Sequence, residues 1–366
     1  MAFKFDRAAP KTYRRVEDMD LGELEAIRLI LRGSSVVDWR RLHFSDTAQV
    51  NEFLRLNLFD PDDLRDRRRL QAILEQAVEY LRKAFGYRVA APVAQPSDVR
   101  DLFLLASGAA GPPRYRRIAC VVLKCMHVVH HLEARELLFR TPIREADLAE
   151  RVDRRVMAVA GAMSRDALPV VEFLGNVKTR SSLITKLLAK RETVAAQVFD
   201  RVRYRIVTER RDQIPSVLHY LARELFPFNF VVPGQTHNSL VRFREIVGRH
   251  PSADAIIPEL QAPLDIEAGE RQPVNAFSGK GYRMLNFVVD LPIRVDELLP
   301  GGTLEEDLGR IVFSLVEFQI LDAATARANE AGESSHERYK RRQSKNVLRR
   351  LSRGLVVPKG SRRSKE

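Results

Sequence analysis

The hydrophobic period changes near Pro169, and that change limits the fold more than any other feature of the chain. Before it, apolar residues recur at helical spacing. After it, several stretches alternate with a period of two. In the first half, Asp20 and Glu23 have capping-box spacing ahead of a stripe of Leu24, Ile27, Ile30 and Leu31, and Gly33 stops the helix. A second helix follows Ser45 and Asp46. A third is expected with Pro61 near its start and Gly86 at its end. Two more cover about 114–139 and 144–165, with 89–97 and 107–113 as linkers or turns and 1–19 as a loose basic arm.

In the second half, "AQVFDRVRYRIVT" puts Val198, Asp200, Val202, Tyr204 and Ile206 on one strand face and Arg201, Arg203 and Arg205 on the other. "FNFVV", "YRMLNFVVDLPIRV" and "RIVFSLVEFQI" also read as strands. "IPSVLHYLAREL" and the basic stretch 323–351 read as helices. The fold class is therefore α+β: an all-helical N-terminal region over 1–168, then strands with flanking helices over 169–345. The second region carries an insertion or long loop at about 233–278, and a basic tail at 346–366 is expected to be disordered.

At 366 residues the chain is long enough for two domains. Its net charge of +13 points to a polyanionic partner, such as a nucleotide or RNA, although the basic tail supplies part of the excess. Cys120 and Cys125 share one apolar stretch, which excludes a disulfide framework and a zinc ribbon and suits a reducing cytoplasm. No apolar run reaches membrane-spanning length, and the basic N-terminus lacks the apolar core of a secretory signal. A cytoplasmic protein with no membrane partner is expected.

Three places carry chemistry. On a helix, Lys178, Ser182 and Lys186 fall at i, i+4 and i+8, so two ammoniums and a hydroxyl share a face suited to an oligophosphate, or simply to solvent. Asp200 and Glu317 each interrupt an apolar strand face, where a carboxylate is costly unless it is paired or metal-bound. Brought together by adjacent strands, the two could hold Mg²⁺; singly, each could form a salt bridge with a nearby arginine. His127 and His131 lie one helical turn apart with His130 between them, a spacing open to metal ligation, packing or RNA contact.

The stretches "KTRSSLITKLL", "VFDRVRYRIV", "GKGYRMLNF" and "VEFQILDAATARANEAGESSHERYK" occur in that order. Together they resemble the successive motifs of the RelA/SpoT-like alarmone synthetase domain, over roughly residues 172–343. The last is the strongest, with Val316, Glu317, Gln319, Ile320, Glu330, Gly332, His336, Tyr339 and Lys340 in matching order. The resemblance implies a nucleotidyltransferase-like mixed sheet with flanking helices. It also implies pyrophosphoryl transfer from ATP to the 3′-hydroxyl of a guanine nucleotide, making (p)ppGpp. Asp200 and Glu317 would hold Mg²⁺, and Glu317 would help activate the hydroxyl. Lys178, Ser182 and Lys186 would contact ATP phosphates, and Arg205 takes the family's arginine position. Tyr282 would stack on the acceptor guanine, with Gln319 and His336 supporting the acceptor. Asn176, Arg203, Asn286 and the pair Leu321–Asp322 depart from the family pattern. Three functions stay open: a diverged (p)ppGpp synthetase, a pyrophosphokinase acting on a tRNA 3′ end, and an inactive nucleotide- or RNA-binding protein. The oligomeric state is left open.

Overall fold

The computed structural model describes residues 2–3, 13–33, 44–177, 180–189, 202–259, 282–298, 309–330 and 336–351. The first half is helical, as its periodicity dictates. The helices are α1 (Leu21–Arg32), α2 (Thr47–Leu56), α3 (Leu64–Phe85), α4 (Ala91–Ala94), α5 (Val99–Ser107), α6 (Pro113–Arg140) and α7 (Glu145–Arg165). Their ends follow local chemistry. Asp20 and Glu23 form a reciprocal capping box on α1, and Gly33 closes it in the left-handed region at φ 57°. Asp46 caps α2. Asp63 caps α3, so that helix starts three residues after Pro61. The expected linker at 89–97 contains the short α4. The N-terminal arm is partly structured: β1 (Ala2–Phe3) adds an edge strand, and Val16 and Met19 are buried.

The remaining elements are β2 (Val170–Val177), α8 (Arg180–Ala189), β3 (Val202–Thr208), α9 (Ile214–Glu224), β4 (His237–Asn238), α10 (Phe243–Val247), α11 (Ala253–Glu259), β5 (Leu285–Arg294), β6 (Ile311–Asp322), α12 (Ala323–Glu330) and α13 (His336–Leu351). The fold is thus α+β. β2 was not anticipated from the sequence. "FNFVV" forms a 3₁₀ turn over Phe228–Phe230 and a single bridge from Val231 to Val289, in place of the expected strand. The stretch 233–259 holds β4, α10 and α11, and the rest of the expected insertion lies outside the described residues. α13 runs through to Leu351, past the expected start of the tail at 346.

The strands form one mixed sheet in the order β1-β2-β3-β6-β5-β4. β3 and β6 are parallel at its centre, in register from Val202↔Val316 to Thr208↔Asp322, and β5 runs antiparallel on the other side of β6. One face is apolar over most of its length. Tyr204, Phe318 and Phe287 lie side by side on neighbouring strands, with ring centroids 5.8 and 5.6 Å apart. Val217, Leu218 and Leu221 of α9, Val152, Val156 and Ala160 of α7, and Leu24 and Ile27 of α1 belong to the same buried cluster. This cluster crosses residue 168 and joins the first half to the sheet. A second cluster fills the space among α2, α3, α5 and α6 and reaches β6 at Ile311.

The second face of the sheet is divided. α6 covers the half where β6 begins. There His131 stacks on Phe313 at 4.1 Å, and its Nε2 lies 3.4 Å from Asp290 Oδ2. His127 stacks on Phe230, and His130 packs against Phe59 and Phe313. Burial, then the neighbouring histidines, holds His127 well below its usual pKa; burial pushes His130 down to about 3. These rings pack as aromatic core. The other half of this face carries Arg203, Arg205, Glu317, Gln319 and Asn286. Among the described residues, no helix is long and apolar enough to cross a membrane.

Candidate functional site

Cross-strand register assembles the polar half-face. Arg203 of β3 lies opposite Asn176 of β2 on one side and Glu317 of β6 on the other. One step along, Leu174, Arg205, Gln319 and Asn286 form the next row across β2, β3, β6 and β5. Side chains alternate across a strand, so Glu317 and Gln319 point away from the face of Phe318. The same alternation puts Glu317 with Arg203 and Arg205, on the opposite face of β3 from Val202, Tyr204 and Ile206. Glu317 is 6% exposed and Gln319 8%.

A carboxylate this buried needs partners, and the described residues supply at least three. Arg203 Nε donates to Glu317 Oε2 at 2.9 Å. Asn286 Nδ2 and Gln319 Nε2 donate to Oε1 at 2.9 and 3.1 Å. An ionised carboxylate accepts all three. Arg205 lies beside this group, with Nη2 3.2 Å from Glu330 Oε1 and Nε 3.4 Å from Glu172 Oε1. Tyr282 enters from the segment before β5. Burial pushes its phenol pKa up, Arg205 and Arg203 pull it down, and Glu317 and Glu330 push it up. Those four charges therefore lie within electrostatic reach of the ring. α12 fixes the ring's approach: Asn329 accepts from Arg283 N at 3.0 Å and donates to Arg283 O at 2.7 Å.

Leu321 and Asp322 have structural roles. Leu321 is buried in the core. Asp322 caps α12, accepting from Thr325 N at 2.9 Å and from Thr325 Oγ1 at 2.6 Å. Burial works to raise the Asp322 pKa, but the Thr325 hydrogen bonds and Arg211 hold it below the usual carboxylate range.

The structure thus brings Arg205, Tyr282, Glu317 and Gln319 together. Ser182 and Lys186 lie on α8 and His336 opens α13, and these two helices pack on each other. Ser182 is exposed; the side chains of Lys186 and His336 lie outside the described residues, as do Lys178 and Asp200 altogether. The sequence reading gave no role to Asn329 or Glu172, and marked Arg203 and Asn286 only as departures from a motif. The signal for Asn329 was a polar residue on the inward side of a short helix.

The donor set decides whether the described residues fit Mg²⁺. A hard cation needs several free oxygens. Glu317 offers its two to a guanidinium and two amide NH₂ groups, and the nearby Glu330 and Glu172 are paired with Arg205. Among the described residues, no group of three His, Cys, Asp or Glu could hold a metal. Glu317 with these partners therefore does not fit Mg²⁺, and Asp200, the other expected ligand, lies outside the described residues.

No protein-family model matches the chain, and no curated protein matches it. Among solved structures, small alarmone synthetase 1 from Bacillus subtilis is similar at 15% identity and a TM-score of 0.29, covering 60% of this chain and 87% of that one. The same enzyme bound to its product pppGpp is similar at 16% identity and a TM-score of 0.30, covering 56% and 87%. A GTP pyrophosphokinase family protein from Streptococcus pneumoniae is similar at 14% identity and a TM-score of 0.27, covering 57% and 84%. The chain is thus distantly similar to small alarmone synthetases, the family that its motifs resemble.

Proposed function

We propose that the polar half-face binds nucleotides and transfers a pyrophosphoryl group from ATP to the 3′-hydroxyl of a guanine nucleotide. The observation that carries this reading is Glu317: a buried carboxylate at the centre of the sheet, hydrogen-bonded by Arg203 and Asn286 and close enough to Tyr282 to act on its phenol. In the reaction, the 3′-oxygen attacks the β-phosphorus of ATP. The bond from that phosphorus to the α,β-bridging oxygen breaks, and AMP leaves with the electron pair. Glu317 takes the hydroxyl proton. Arg205 binds phosphate oxygens, and the resemblance adds Lys178, Ser182 and Lys186 to that role. Tyr282 stacks on the guanine, while Gln319 and His336 hold the acceptor. The resemblance assigns Asp200 and Glu317 to Mg²⁺, but no step here runs through the ion.

The Arg203–Glu317 pair favours a second reading, in which the site binds nucleotides without turnover. One assay separates the two. Purified protein is incubated with γ-labelled ATP and GDP, GTP or tRNA, and labelled products are resolved. The first reading expects AMP and a labelled 3′-pyrophosphorylated guanine nucleotide. Nucleotide binding without labelled product selects the second. Label on tRNA alone would overturn the guanine acceptor.

A further inference from the structure

Arg203 stands where a cation bound to Glu317 would stand. Parallel register places the two residues directly opposite each other on β3 and β6. The guanidinium Nε lies 2.9 Å from Oε2, with the Arg203 side chain 28% exposed and that of Glu317 7%. The remaining donors, Asn286 and Gln319, are neutral and turn their NH₂ groups to Oε1. Amide orientation is assigned from the hydrogen-bond network, and a carboxylate on one side sets it here. The Asn286 amide oxygen is left buried with no hydrogen-bond partner. A metal ion on Oε2 would need that oxygen free of a cationic donor.

We infer that Arg203 is an internal counter-cation that fills the divalent-cation position at Glu317 and keeps metal ions off that carboxylate while no nucleotide is bound. This rests on the reading of the half-face as the nucleotide site. Among the described residues, the Arg203 guanidinium is the cation in contact with the Glu317 carboxylate. Adding a divalent ion at the same carboxylate would leave two cationic groups facing each other at close range in a poorly solvated place. Arg203 is a positioning residue in this account: it holds Glu317 in place.

The test is Mn²⁺ binding to the full chain without nucleotide, followed by the electron paramagnetic resonance of free Mn²⁺. Four proteins are compared: wild type, Arg203→Gln, Arg203→Lys and Arg203→Gln with Glu317→Gln. Circular dichroism checks that each is folded, and Arg203→Ala substitutes for Arg203→Gln if the latter does not fold. The expected result is at least about ten-fold tighter Mn²⁺ binding in Arg203→Gln than in wild type. Arg203→Lys should behave as wild type, and the double variant should lose the gain. Equal affinity in wild type and Arg203→Gln, or a gain that survives Glu317→Gln, would overturn the inference. The readout is independent of turnover. An enzyme that makes no labelled product can still show the gain, and an active one can still lack it.

Discussion

Arg155 on α7 makes a sharp test of how the helical half is joined to the sheet. Its guanidinium donates to three backbone carbonyls: Leu225 after α9 at 2.8 Å, Leu56 at the end of α2 at 3.1 Å, and Pro292 of β5. Arg155→Met keeps most of the side chain's length and removes these three bonds. Hydrogen bonds to a charged group contribute about 1.5–3 kcal/mol each, so the gross loss is roughly 4–9 kcal/mol. Burial offsets part of it. Burial pushes the guanidinium pKa down by more than two units, to about 10. At about 1.4 kcal/mol per pKa unit, removing the buried charge returns roughly 3 kcal/mol. A net destabilisation of about 3 kcal/mol follows, equivalent to a drop in Tm of roughly 4 °C for 366 residues. Thermal unfolding followed by circular dichroism measures it, with Arg155→Lys as an intermediate case. A Tm unchanged within about 2 °C would refute the reasoning, because the three carbonyls would then have other partners. Two separate transitions in the wild type would refute the single cooperative core.

Two further outcomes concern pH. Burial works to raise the Glu23 pKa, but His219, the Asp20 backbone and Arg14 together hold it down at about 2 against 4.5. Its folded pKa lies below its unfolded one, so its stabilisation is fully present above 4.5 and is lost as pH falls towards 2. Glu23→Gln should flatten the acid limb of stability against pH by roughly 3 kcal/mol, read from urea unfolding at pH values across that window. His130 is held down at about 3 by burial, then by His131 and Arg69, so it stays neutral in the folded chain. Stability is therefore full above 6.5 and falls as pH drops below it, by up to about 1.4 kcal/mol per pH unit. His130→Phe should reduce the slope by that amount and leave the part owed to His127, which burial also holds low; an unchanged slope would mean that His130 takes up a proton without unfolding.

Local signals were readable from sequence because their causes are local. The Asp20 and Glu23 box, the Asp46 cap and the Gly33 stop each act within one turn, and the structure places them as expected. Pro61 was a weaker signal than Asp63, whose carboxylate caps α3. β2 was missed because Glu172 and Asn176 break its apolar pattern, and both belong to the second face of the sheet. Glu317 and Gln319 stood out as polar residues in an apolar strand, but their partners depend on which strands lie side by side. The Arg203–Glu317 and Asn286–Glu317 pairs join residues 114 and 31 positions apart. Leu321 and Asp322, odd within the motif, are explained by the core and by the α12 cap.

The role of Glu317 is tested most directly by the steady-state rate of Glu317→Gln relative to wild type, at saturating ATP and GDP. The substitution keeps the shape and can still accept from Arg203, but it cannot take the hydroxyl proton. The account predicts labelled 3′-pyrophosphorylated product from wild type and a kcat lower by at least about a hundred-fold in Glu317→Gln, with KM little changed. A rate within about two-fold of wild type, or no product from wild type itself, would contradict it.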